Sequence, residues 1–80
     1  MLFVIRPYPT YRIRPRRPHG SLAPDGTVLT LTNPPGPVSK TATVNQGRAN
    51  FALGVGLYKL SGGGVERIIE IGATTPADYE

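Results

Sequence analysis

The sequence contains no cysteine and no tryptophan, and a single histidine, among its 80 residues. A chain without cysteine cannot carry a disulfide framework, and a metal site built from nitrogen and sulfur ligands is not expected around His19 alone. The apolar run at residues 2–5 stops at Arg6, far short of the roughly 20 residues that span a membrane. We therefore expect no signal peptide, no membrane contact, and a protein made in the cytoplasm.

The length bounds the size of the core. A chain this short buries only about 60 % of the surface of its unfolded state, so small domains usually gain support from disulfides, metals or association. Because the first two are not expected here, we predict association with a partner, or with copies of the chain in a homo-oligomer or symmetric array.

Acidic residues are missing from residues 1–20, whereas residues 21–80 hold four basic and five acidic side chains. The same 20 residues contain four prolines, which remove backbone donors and disfavour helix. We predict an extended, partly polyproline II arm over residues 1–20 that carries the excess basic charge.

Alternation of apolar and polar residues with a period of two predicts strands through the rest of the chain. The predicted strands are Thr27–Thr32, Val38–Val44, Arg48–Leu53, Val55–Leu60 and Val65–Ile71, with Leu2–Arg6 as a sixth, short edge strand. No segment shows a helical period. The chain is predicted to be all-β, a small antiparallel β-sandwich of five to six strands, organised as arm 1–20, sandwich 21–72 and polar acidic tail 73–80.

Residues 47–71 are the strongest stretch of this pattern and predict a three-stranded meander with one apolar face. Ala49, Phe51 and Leu53 share one side of the first strand, and Val65, Ile69 and Ile71 share one side of the last. Gly62–Gly64 predict the hairpin turn between the last two strands. Arg67 interrupts the apolar face, and Ile68 on the opposite face is expected to be exposed.

The stretch from residue 27 to residue 60, which overlaps the start of this meander, resembles a known family. The threonine-rich strand Lys40–Val44, the turn Asn45–Gly47, the aromatic Phe51 and the sequence Gly56–Leu60 together resemble transthyretin-like and carboxypeptidase-regulatory-like β-sandwiches over residues 27–60. The resemblance implies an Ig-like or transthyretin-like sandwich with Phe51, Tyr58 and Leu60 in its core. It also implies a non-catalytic spacer or adhesion module.

The titratable residues do not form a catalytic pattern. There is no nucleophile beside a base, no phosphate-binding loop and no metal-ligand spacing, so we expect no enzyme, no catalytic residue, no cofactor and no metal. Asp25 is predicted in a turn, and the other carboxylates are predicted to be solvated. His19 is predicted as a hinge residue between arm and body, or alternatively as a ligand shared by symmetry-related chains.

The arm supplies the candidate partner-binding residues. They are Arg6, Tyr8, Tyr11, Arg12, Arg14, Arg16 and Arg17. Guanidinium groups bind the carboxylates and carbonyls of proteins as well as phosphates, and tyrosines stack on bases. The absence of lysine, the four prolines and the apolar start favour a protein groove over nucleic acid or a merely solvated arm.

In overall style, a small sandwich with such an arm resembles bacteriophage virion accessory proteins, namely head decoration (cement) and minor tail proteins. The resemblance implies a structural role in a virion, docked by its N-terminal arm on major capsid or tail subunits. Two alternatives stay open: a nucleic-acid or ribonucleoprotein component that uses the basic arm, and a carbohydrate-binding or adhesion module.

Overall fold

The structure is a computed structural model that describes residues 8–33 and 39–80. These ranges contain seven strands: β1 (Thr10–Ile13), β2 (Val28–Thr32), β3 (Ser39–Thr43), β4 (Ala49–Ala52), β5 (Gly56–Gly62), β6 (Val65–Ile71) and β7 (Asp78–Tyr79). The described residues form no helix, and so none that is able to cross a membrane. The prediction of a small all-β fold is confirmed.

The strands form two sheets that share no strand. The smaller sheet has the order β4-β1-β7, in which β1 pairs antiparallel with β4 and parallel with β7. The larger sheet has the order β3-β2-β5-β6, and all of its pairs are antiparallel. Each sheet has one apolar face, and a sandwich buries both faces against each other.

The core lies between these two faces and follows the period of two. Its buried members are Tyr11, Ile13, Ala49, Phe51 and Leu53 around the smaller sheet, Leu29, Leu31, Tyr58, Leu60, Val65, Ile69 and Ile71 in the larger sheet, and Ala23 and Val44 in the connections. Full burial of one Leu, Ile or Phe side chain contributes roughly 1.5–3 kcal/mol. The predicted core positions of Phe51, Tyr58 and Leu60 are confirmed.

The β5–β6 hairpin turns at two glycines. Gly62 pairs with Val65, so that Gly63 and Gly64 form a two-residue loop with φ angles of 56° and 84°. Positive φ at both positions is the requirement of a type I′ turn, whose twist matches that of the strands. The predicted glycine turn is confirmed, and Ile68 on the outer face of β6 is 67 % exposed as expected.

The predicted three-stranded meander is wrong in its first member. β4 does not pair with β5; it pairs with β1 in the smaller sheet, in the register Tyr11↔Phe51 and Ile13↔Ala49. The physical reason is that the apolar face of the β5–β6 hairpin has to be covered. The chain covers it by passing into the other layer through residues 53–55, which gives β4 a new neighbour.

The predicted arm is also wrong over residues 10–20. Thr10–Ile13 is the central strand of the smaller sheet, Tyr11 and Ile13 are in the core, and Arg16 bridges to Leu22. Strand pairing on both sides of β1 outweighs the flanking prolines, which lie outside its four residues. The tail prediction missed β7, while residues 1–7, with the predicted strand Leu2–Arg6, lie outside the described residues.

The hairpin provides a first prediction, on Gly62→Ala. A Cβ at Gly62, where φ is 128°, would lie 2.5 Å from the carbonyl oxygen of Val28, so β2 would have to shift. We expect a loss of about 2–4 kcal/mol, measured from the midpoint of urea denaturation.

The matched control is Gly20→Ala. Gly20 also has a positive φ, of 104°, but no atom would lie within 4 Å of the added methyl group. Its expected cost is the backbone strain alone, about 1–2 kcal/mol. Equal losses in the two variants would contradict the close approach of β5 to β2.

Candidate functional site

The outer face of the smaller sheet carries a cluster of arginines. Because Tyr11 and Ile13 point into the core, Arg12 and Arg14 point outward. The antiparallel register pairs Ile13 with Ala49, which brings Arg48 beside Arg14. We call Arg12, Arg14 and Arg48 the arginine face.

β7 places a carboxylate against the first of these arginines. Arg12 donates from Nε to Oδ1 of Asp78 at 2.7 Å and from Nη2 to Oδ2 at 3.0 Å, a bidentate pair in which both side chains are more than half exposed. The hydrogen bond from Arg12, helped by the charges of Arg12 and Arg48, holds the pKa of Asp78 below its ordinary value of 3.8. The same contact raises the pKa of Arg12.

Glu80 lies between the other two arginines. Its Oε2 is 2.9 Å from Nε of Arg14, and its Oε1 is 4.0 Å from Nη2 of Arg48. The Arg14 Nε atom is buried and has no hydrogen bond, because its N–H does not point at the carboxylate oxygen that lies near it. Glu80 is therefore held by charge rather than by well-directed hydrogen bonds.

Arg67 reaches this region from the larger sheet. It lies on the core-facing side of β6 and donates to the carbonyl oxygen of Arg14 at 2.9 Å and to the carbonyl oxygen of Glu80. Its guanidinium carbon lies 5.5 Å from the centre of the Tyr79 ring, a cation–π contact. Tyr79 in turn accepts the N–H of Glu70 through its hydroxyl group, at 3.4 Å.

Lys40 makes a comparable contact at the opposite boundary between the sheets. Its Nζ atom donates to the carbonyl oxygen of Ala52, at 2.6 Å, so that β3 is joined to β4. A cleft beside this contact is lined by Tyr8, Asn33, Lys40, Gly54, Val55 and Tyr58. Tyr58 closes its floor by donating to the carbonyl oxygen of Gly54 at 2.8 Å.

The structure separates the predicted partner-binding residues. Arg12 and Arg14 belong to the arginine face, whereas Tyr11 is a core residue with 7 % exposure. Arg16 donates to the carbonyl oxygen of Gly20, and Arg17 donates to that of Gly63, so both hold turns of their own chain.

The remaining two predicted partner-binding residues are Tyr8 and Arg6. Tyr8 is 63 % exposed, and a Cβ on Gly54 would lie 3.2 Å from its ring. Arg6 lies outside the described residues. Sequence reasoning missed Arg48 and Arg67, and the available signal for Arg67 was its position as a cation on an otherwise apolar strand face.

The other titratable groups singled out from the sequence have local structural contacts. Asp25 accepts the backbone N–H groups of Gln46 and Gly47, at 3.1 Å and 3.2 Å, and so fixes the turn before β4. His19 lies in a turn, where its Nε2 is 2.6 Å from the hydroxyl of Ser21. Over residues 8–33 and 39–80, no three His, Cys, Asp or Glu side chains form a group suited to a metal ion.

No protein family model, curated protein or solved structure matches the chain. The comparisons therefore name no family. The resemblances to transthyretin-like sandwiches and to bacteriophage accessory proteins stay predictions.

The Arg12–Asp78 pair leads to a second prediction, on the titration of Asp78. Its pKa is lowered in the folded state, so the pair stabilises the protein fully above the unfolded-state value, and the contribution is lost as the pH falls through the lower folded-state pKa. We expect Arg12→Gln to raise the Asp78 midpoint toward its ordinary value, as followed by NMR of its side-chain carboxyl carbon.

Arg16→Gln removes the same charge from a side chain that contacts Gly20 instead, and should leave the midpoint unchanged. Equal shifts in the two variants would mean that net charge, and not the bidentate contact, sets this pKa.

A third prediction concerns Arg67→Met. Methionine keeps the apolar stem but leaves the carbonyl oxygen of Arg14 without its donor, so we expect a loss of about 1–3 kcal/mol in the free energy of unfolding. Lys59→Met, on the exposed face of the same hairpin, is the control and should change stability by less than about 0.5 kcal/mol. A neutral Arg67→Met variant would show that the contact between the sheets does not depend on this guanidinium group.

Proposed function

We propose that the chain is a non-catalytic structural module that docks on a neighbouring protein through the arginine face. The observation that supports this proposal is that the face already binds carboxylates of an extended segment, at Asp78 and Glu80. Its guanidinium groups thus have the spacing that a strand with acidic side chains on alternate residues requires. The sandwich holds them on a rigid sheet.

A protein neighbour is favoured over nucleic acid by two features of the described surface. Arg12 and Arg14 are paired with carboxylates of the same chain, which reduces the positive charge left to attract phosphates. The larger sheet also exposes apolar side chains, and Leu57 and Ile68 are diagonal neighbours on its outer face. Exposed apolar side chains that lie together are typical of protein contacts.

For the assembly we propose a virion, with major capsid or tail subunits as the neighbours. This part of the proposal is supported by analogy of architecture alone, a small β module with an arginine- and proline-rich N-terminal stretch. A structural role agrees with the contacts of Asp25, His19 and Asp78, each of which holds a turn or a strand.

The test is co-sedimentation in a density gradient of lysate from the native source, with the chain detected by an antibody. We expect the chain in fractions of large particles, before and after treatment with nucleases. Recombinant chain should rebind to particles that have been stripped of it, and Arg14→Gln/Arg48→Gln should rebind at least about tenfold more weakly.

Lys59→Gln/Arg16→Gln is the control of equal charge, since both side chains lie outside the arginine face, and it should rebind normally. Recovery of the chain only as a free small protein would contradict the proposal. Release of the chain by nuclease would point to the nucleic-acid alternative.

A further inference from the structure

The segment that occupies the arginine face is held mainly by polar contacts of exposed side chains. β7 has two residues, and its main chain is fixed by the N–H of Arg12 to the carbonyl of Ala77 at 2.7 Å and the N–H of Arg14 to that of Tyr79 at 3.0 Å. The side chains of Asp78 and Glu80 are 58 % and 69 % exposed. Exposed ion pairs and short edge strands open at a low free-energy cost.

The segment also satisfies the site incompletely. Three guanidinium groups, those of Arg12, Arg14 and Arg48, lie around the two side-chain carboxylates of Asp78 and Glu80. The buried Nε of Arg14 has no hydrogen bond, and Arg48 lies 4.0 Å from Glu80. A buried donor without a directed acceptor destabilises the contact, and a better-directed carboxylate would remove that cost.

The connection to β6 does not depend on these contacts. The N–H of Gly72 donates to the hydroxyl of Thr75 at 2.8 Å, and the N–H of Thr75 donates to the carbonyl of Gly72 at 3.2 Å, so a local turn follows β6. Residues after this turn can leave β1 while β6 keeps its pairing with β5. Release gives up the partial packing of Tyr79 on the core, its ring contact with Arg67 and the hydrogen bond from Glu70 to its hydroxyl. It also gives up the hydrogen bond from Arg67 to the carbonyl of Glu80.

We propose that residues 77–80 are a displaceable internal occupant of a strand-binding site on β1, and that the site binds an extended segment of another protein with carboxylates on alternate residues. The proposal rests on the proposed function and names the chemistry of the partner. It also assigns residues 77–80 a regulatory role, because they compete with the partner for the same site.

The contacts of residues 77–80 define the side chains and carbonyl groups that a partner segment needs in order to bind the same site. The parallel register sets one carboxylate opposite Arg12 and the next residue opposite Ile13, where an aromatic ring contacts Arg67. The second carboxylate follows, between Arg14 and Arg48. Carbonyl groups two residues apart accept the N–H groups of Arg12 and Arg14, and a phosphodiester chain offers no N–H donors to complete such a ladder.

The experiment uses the full chain and a fluorescent peptide with the sequence of residues 74–80, Thr-Thr-Pro-Ala-Asp-Tyr-Glu, capped at both ends. In the wild type the internal segment competes at an effective concentration of the order of millimolar. In Asp78→Asn/Glu80→Gln the competitor loses its charges, so the peptide should bind at least about tenfold more tightly. NMR shifts should map to Arg12, Ile13 and Arg14.

Glu66→Gln/Glu70→Gln is the control of equal charge on the outer face of β6. It should leave the affinity for the peptide at the wild-type value. A peptide with Asn and Gln in place of its two carboxylates should not bind to any of the three proteins.

Three results would overturn the inference. They are no gain in affinity in Asp78→Asn/Glu80→Gln, an equal gain in the Glu66→Gln/Glu70→Gln control, and tighter binding of a single-stranded RNA decamer than of the peptide. Dimers of the wild type in light scattering, with exchanged segments, would also overturn it by showing that a second copy is the occupant.

The two proposals fail separately. A chain that binds the peptide as expected but never sediments with particles removes the proposed function and keeps the binding site. A chain that sediments with particles but whose Asp78→Asn/Glu80→Gln variant gains no affinity keeps the function and removes the displaceable segment.

Discussion

The two sheets are joined at their boundaries by cations that donate to main-chain carbonyl groups. Lys40 joins β3 to β4 through Ala52, and Arg67 joins β6 to the β1–β7 pair through Arg14 and Glu80. No ladder of main-chain hydrogen bonds crosses either boundary among the described strands. Apolar burial brings the sheets together without specifying direction, whereas these directed contacts fix how the edges meet.

The arginine face depends on the second of these boundaries. Arg67 contacts the Tyr79 ring and the Glu80 carbonyl, so it determines where β7 lies, and β7 determines which arginines are paired. A lysine would supply the charge but not the planar group, which donates to two carbonyls and contacts a ring at once. Packing, strand order and surface charge are therefore linked through one side chain.

Most strands of this fold could be predicted from the sequence, but the pairing that forms the smaller sheet could not. Strands β2 to β6 lie within one to two residues of their predicted bounds, because alternation of buried and exposed side chains is a local property. The same alternation is present in Thr10–Ile13, but prolines on both sides of these four residues favour an irregular extended arm. β7 is too short to show a period, and the pairing of β4 with β1 is a long-range choice that local pattern does not determine.

The candidate site shows the same limit. Composition points to Arg12 and Arg14 but not to Arg48 or Arg67. Arg12 and Asp78 are 66 positions apart, and no local pattern links them. The carboxylates were therefore predicted to be solvated, and the arginines were predicted to reach outward to a partner.

The central position of β1 has a consequence for synthesis. Its second edge stays open on the nascent chain until Asp78 and Tyr79 have left the ribosome, so the smaller sheet is completed only after translation has passed them. Pairing of β1 with β7, which is distant in the sequence, is slow compared with formation of the β5–β6 hairpin. During that interval the growing polypeptide displays an unpaired strand, which is the kind of surface that chaperones cover.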